Sequence, residues 1–202
     1  MLKKAKRNRS SQLSNFSSDR MVRRISPSSV ETEPEAYPNR PGIGQQLRSF
    51  IEVLLLGAWL GAMMFFSFAV APSAFAVLPT REMAGVIVTS TIGKVEIIGL
   101  IIGPVLILIN ALKTSGSSAA KILRIGLIGL MVICAALSRF WISPSMVSLR
   151  ATMGGHIDDV SATDPLRVQF NDLHQYSVAL MGIAIVAGLV SLFLTVQSWL
   201  RR

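Results

Sequence analysis

The chain has 202 residues, a net charge of +9 and 51% hydrophobic residues, but only 15% charged ones. Soluble domains carry roughly 25% charged residues, so with a mean hydropathy of +0.53 the composition excludes an ordinary soluble fold. The single cysteine, Cys134, excludes an internal disulfide and a CxxC-type metal site.

Residues 1–48 stand apart. They hold ten Lys/Arg, four Asp/Glu and eight Ser, and end in Pro38, Pro41, Gly42 and Gly44. They contain no apolar run and no helical or strand period. Such a segment cannot bury enough surface to offset its ordering entropy, which predicts a disordered basic tail. It lacks the 7–15-residue apolar core of a secretory signal. Its Arg- and Ser-rich composition also fits an organellar transit peptide, and Met21 offers an alternative start.

Four apolar stretches follow, over about residues 50–78, 86–112, 122–143 and 170–199. About 20 helical residues cross roughly 30 Å of hydrocarbon, so the expectation is an all-α, four-helix transmembrane bundle over residues 49–202. Gly57/Gly61, Gly99/Gly103 and Ala184/Gly188 have small-xxx-small spacing, which predicts close helix packing within the chain. Pro72 and Pro104 predict kinks or helix ends. Fifteen Lys/Arg fall on one side of a four-span threading, and only Arg81, Arg150 and Arg167 on the other. The positive-inside rule then puts both termini in the cytoplasm. The expected location is a bacterial inner membrane as a multi-pass protein, with an organellar membrane as the alternative.

Charged groups at the centre of a span cost at least about 2.5 kcal/mol and need partners. Lys94 and Glu96 open the second span, Arg139 closes the third, and Asn171 and His174 open the fourth. Antiparallel threading brings these five to one outer layer as a candidate polar site. Lys94 and Glu96 are two apart, about 200° around a helix, so they cannot pair with each other. Glu96 is expected to meet Arg139 or His174. Arg139, Ser143, Met146 and Arg150 have spacings that give one helical face, as do Arg167, Asn171 and His174. Asp164 before Pro165 has the pattern of a helix cap. The alternative is a structural ion-pair knot, with Lys94 and Arg139 snorkelling to head groups. Arg48 and Glu52 read as an ordinary pair at the inner edge of the first span.

No enzyme motif occurs: there is no GxSxG, Walker loop or HExxH. Met146, Met153, His156 and His174 make a weak soft-metal set, and neither a metal nor another cofactor is expected. Cys134 reads as a buried apolar residue. Positive-inside orientation accounts for most of the basic charge, so no nucleic-acid partner is expected.

Gly57-Ala-Trp-Leu-Gly61-Ala-Met-Met-Phe-Phe-Ser-Phe-Ala-Val-Ala-Pro72, then Leu78-Pro79-Thr-Arg81-Glu-Met-Ala-Gly85, resembles the first block of the transmembrane protein 205-like family. Phe140-Trp-Ile-Ser-Pro144-Ser-Met-Val-Ser-Leu-Arg150 resembles its third-span end, and Phe170-Asn-Asp-Leu-His174-Gln-Tyr-Ser177 its fourth-span start. The resemblance covers about residues 49–200. It implies a four-helix membrane protein of largely undefined role, and marks Pro72, Arg81, Gly85, Pro144, Arg150, Phe170, His174 and Ser177 as matching positions. The functional expectation is a membrane protein that binds or moves a small solute or ion through an outward-facing polar site. The alternative is an accessory subunit with a membrane-protein partner or a second copy of itself. A metal- or haem-binding role stands behind both.

Overall fold

The computed structural model describes residues 42–113, 118–154 and 157–200. Residues 1–41, and with them most of the expected tail, lie outside the described residues. So do His156, Arg201, Arg202 and the side chain of Trp199.

Four long helices run through the described residues: α1 (Ile43–Val77), α2 (Arg81–Ala111), α3 (Ser118–Thr152) and α4 (Pro165–Leu200). No strand occurs among the described residues. Each helix is long and apolar enough to cross a membrane, and the chain is an integral membrane protein. At 1.5 Å per residue these helices are roughly 45–55 Å long, well beyond the ~30 Å hydrocarbon core. Their ends therefore reach the head-group region. α1 reaches back to Ile43, into the stretch assigned to the tail, and α2 starts at Arg81, ahead of its apolar core.

The helix ends follow from local chemistry. The Thr80 hydroxyl accepts the Met83 N–H at 3.2 Å and starts α2. Asp164 accepts the Leu166 N–H at 2.8 Å, with Pro165 as the first residue of α4. Gly154, at φ 73°, supplies the left-handed turn after α3.

Prolines act differently from expectation. α1 and α3 are each interrupted by one π-helical segment, Phe66–Val70 and Ser138–Ile142. Proline lacks an N–H and crowds the carbonyl four residues earlier. For Pro72 that residue is Phe68, and for Pro144 it is Phe140, each at the centre of a π segment. Widening the turn relieves the crowding, and the helix continues past the proline. Pro104 sits inside α2 without interrupting it.

The helices form a ring in which α1 packs on α2 and α4, and α3 packs on α2 and α4. Leu56, Trp59, Leu60, Met63, Leu106, Ile128 and Met131 fill its core. Cys134 is buried among them. Small residues explain part of this packing. A Cβ added at Gly99 would lie 2.4 Å from the Trp59 indole, and one at Gly103 would lie 2.2 Å from Val132 Cγ2. Gly188 meets Leu60 and Met131 at 3.0 Å in the same sense. The expected intramolecular role fails for Gly57 and Gly61, whose added Cβ atoms would meet nothing within 4 Å. They face away from the bundle because the opposite side of that turn carries Trp59 and Leu60.

Candidate functional site

Start at the end of the bundle that carries the α1–α2 turn and the α3–α4 loop, here the loop end. Arg81, the first residue of α2, and Arg167, in the first turn of α4, sit beside Arg150 of the last turn of α3. Together with Phe170, Asn171 and His174 they line a chamber of about 350 Å³. A deeper chamber of about 530 Å³ shares the Thr89, Met146, Arg150 and His174 walls and is otherwise mostly apolar. Both volumes fall in the range of small-molecule sites.

Arg150 is the hinge between the two chambers. Its guanidinium carbon lies 5.7 Å from the centre of the Phe170 ring, a cation–π distance. A Cβ on Gly85 would come within 2.9 Å of its Nη2. Its Nε is buried without a hydrogen-bond partner. Arg167 is tied differently, because its Nη1 donates to the Val160 carbonyl.

Beneath the apolar chamber, Ser177 and Met181 lead into a small core cavity of about 20 Å³, lined by Trp59, Glu96, Cys134 and Ser138. That is room for about one water molecule. Glu96 is 4% exposed, Ser138 is 5% exposed, and neither carboxylate oxygen nor the serine hydroxyl meets a hydrogen-bond partner in the chain.

The five residues of the candidate polar site do not share one place. Glu96 is the central residue of the 31-residue α2, not part of an outer layer, because α2 begins well before its apolar core. Among the described residues Glu96 forms no hydrogen bond or ion pair, so it meets neither Arg139 nor His174 as a partner. Asn171 and His174 line the outer chamber. Lys94 is exposed on the opposite side of α2 and lines none of these cavities. The single face expected for Arg139, Ser143, Met146 and Arg150 is also broken. The last three line the apolar chamber and Arg139 does not, because the π segment Ser138–Ile142 shifts the helical phase between them.

Seven of the eight positions marked by the family resemblance line these cavities, and Pro144 is the exception. Pro144 instead sits just beyond the π segment that sets the direction of Arg150.

A second polar cluster lies at the opposite, terminal end. Glu52 is 0% exposed and pairs with Lys113, just past α2. The Thr195 hydroxyl, 3.5 Å from Glu52 Oε1, donates to the Ser191 carbonyl at 2.8 Å. Lys121 Nζ donates to the carbonyls of Ala111 and Lys113 at 2.6 and 2.9 Å, covering the end of α2. Glu52 therefore does not form the interfacial pair expected with Arg48, which is exposed. Spacing along one helix made Arg48 the obvious partner, and only the bundle brings Lys113 across. Among the described residues no group of three or more His, Cys, Asp or Glu could hold a metal ion.

A family model described as a domain of unknown function, DUF4149, matches residues 54–154, half of the chain. No curated protein matches, and no solved structure matches.

Proposed function

We propose that this chain, which belongs to the DUF4149 family of unknown function, binds or passes a small solute through the loop-end recess and does not catalyse a reaction. The observation that carries the reading is the run of adjoining cavities from the loops to Glu96. In it Arg81 and Arg167 meet the solute first, and Arg150 and His174 stand where the two chambers join. Glu96, with Arg139 beside it, is the charge-sensitive group at its floor. The resemblance to the transmembrane protein 205-like family supports the same recess, since its matching positions gather there.

The Lys/Arg distribution supports a cytoplasmic terminal end and a recess open to the other side. A bacterial inner membrane is the setting that fits, with an organellar membrane as the alternative. A second reading, an accessory subunit or homo-oligomer, is favoured by Gly57 and Gly61, which leave a small-residue strip facing out of the bundle.

Single cysteines in a Cys134→Ala background test the recess. A membrane-impermeant maleimide added to intact cells should label His174→Cys and Thr89→Cys, and spare Lys121→Cys and Ile128→Cys. Absence of label at both recess positions, in protein of normal abundance, ends the proposal. Co-purification of a stoichiometric partner lost on Gly57→Leu would favour the second reading.

A further inference from the structure

We propose that the recess holds an anionic phospholipid of the surrounding bilayer, with its phosphate at Arg150 and one acyl chain in the apolar chamber. This rests on the recess being a ligand site and names the ligand's chemistry.

The recess changes character with depth. Its outer chamber carries three guanidiniums, and the chamber below is walled by Phe66, Phe68, Val178, Met181 and Ile185. A soluble anion would use only the first, and an apolar solute only the second. An amphiphile uses both.

The recess also opens sideways. Beyond its π segment, the last part of α1, Ala71–Val77, packs on α2 and makes no comparable contact with α4. The two lips of this gap carry Phe68 and Val178, which line the apolar chamber and are 74% and 59% exposed. In a spanning protein those surfaces face lipid. Gly182 lies on the same stretch of α4, and a Cβ there would meet nothing within 4 Å. An acyl chain can therefore enter from the bilayer without crossing water.

Depth and charge select the head group. Arg81 opens α2 and Arg167 lies in the first turn of α4, so the outer chamber sits where long helices emerge into the head-group layer. Glu82 and Asp159 line the same chamber. Three guanidiniums against two carboxylates leave a surplus of one positive charge, which matches a phosphodiester monoanion. Arg150 is the group suited to contact it. One face of its guanidinium lies over Phe170, Gly85 leaves room for its Nη2, and its Nε has no partner in the chain. Planar guanidiniums pair well with phosphate oxygens through their edges.

The test uses the full chain, purified in mild detergent and incubated with vesicles of equal phosphatidylglycerol and phosphatidylcholine. Retained lipid is quantified by mass spectrometry after repurification. The expected result is at least about tenfold enrichment of phosphatidylglycerol, largely lost in Arg150→Gln and only partly kept in Arg150→Lys, which retains the charge but not the planar fork. Gly182→Trp, at the lateral gap, should reduce retention of both lipids. Abundance and elution volume of each variant establish that it is folded.

Equal retention of the two lipids by wild type, or enrichment unchanged in folded Arg150→Gln, overturns the proposal. Millimolar inorganic phosphate should leave the lipid bound. Displacement by phosphate alone would make this a soluble-anion site, overturning the lipid assignment while sparing the recess as a ligand site. Failure of the maleimide labelling would remove the recess itself.

Discussion

The two ends of the bundle are built from the same four helices and solve opposite problems. At the terminal end, a buried carboxylate has its cation: Glu52 is closed in by Lys113, with Thr195 beside it. At the loop end, the apolar wall is broken by chambers that Arg150 helps to line. Hydropathy does not make the difference, since all four helices are strongly apolar. Two prolines and the π turns ahead of them do. Past its π turn α1 packs on α2 and makes no comparable contact with α4, whereas α3 stays packed on α4. A closed end suits a structural anchor, whereas an end opened into chambers with Arg150 on their shared wall suits a ligand.

The largest effect should come from breaking the closed end. Lys113→Met leaves Glu52 buried with no counter-charge, and losing one partner of a buried pair costs about 3–5 kcal/mol. The lower part of that range is expected, because the Lys113 side chain is 11% exposed. Heating in detergent and counting the fraction that still elutes as a folded species reads this directly. The double variant Glu52→Leu/Lys113→Met should recover most of the loss, since an apolar pair has no charge to desolvate. If the double variant is as unstable as the single, the pair is not what closes this end.

Next comes the core that joins the two ends. Gly99→Ala places a methyl 2.4 Å from the Trp59 ring, a backbone-anchored clash with a rigid side chain. Overpacking of this kind costs about 1–3 kcal/mol. Gly57→Ala, where nothing lies within 4 Å, should be close to neutral in the same assay. Equal effects at the two glycines would show that helix propensity, not packing, governs both.

These contrasts also mark what the sequence could and could not reveal. Four helices, their approximate bounds and the cap at Asp164 are local properties, carried by apolar length and by Pro165. The pairing of Glu52 with Lys113 is not local, because it joins residues 61 apart and appears only when α1 and α2 cross. Glu96 is visible in the sequence as a costly charge, but its depth is not, because apolar content underestimates where α2 begins. The phase shift within α3 did have a signal: Phe140 stands four residues before Pro144, as Phe68 does before Pro72. A strict 3.6-residue period ignores that signal and so joins Arg139 to Arg150 on one face.

The π segments give a sharper test of why the ends differ. Pro144→Ala restores an N–H and removes the crowding at Phe140, so α3 can return to α-helical winding. Stability should change by less than about 1 kcal/mol. The outer part of α3 would rotate by about 100°, one residue's worth of phase, and carry Met146 and Arg150 out of the recess. Maleimide labelling of Met146→Cys, present with Pro144, should fall in the alanine background. Unchanged labelling would mean that packing against α4, not the proline, fixes the π turn.

The smallest expected effect lies at Gly85. An added methyl there would approach Arg150 Nη2 at 2.9 Å, but that atom is the far end of a flexible side chain. The guanidinium can move aside, unlike the Trp59 ring at Gly99, so Gly85→Ala should cost well under about 1 kcal/mol of stability. The displaced guanidinium would leave its position over Phe170. Any anion held by Arg150 should then bind more weakly in a protein that melts like wild type. Loss of stability comparable to Gly99→Ala would show that the loop end is packed as rigidly as the core, and the contrast between the two ends would vanish.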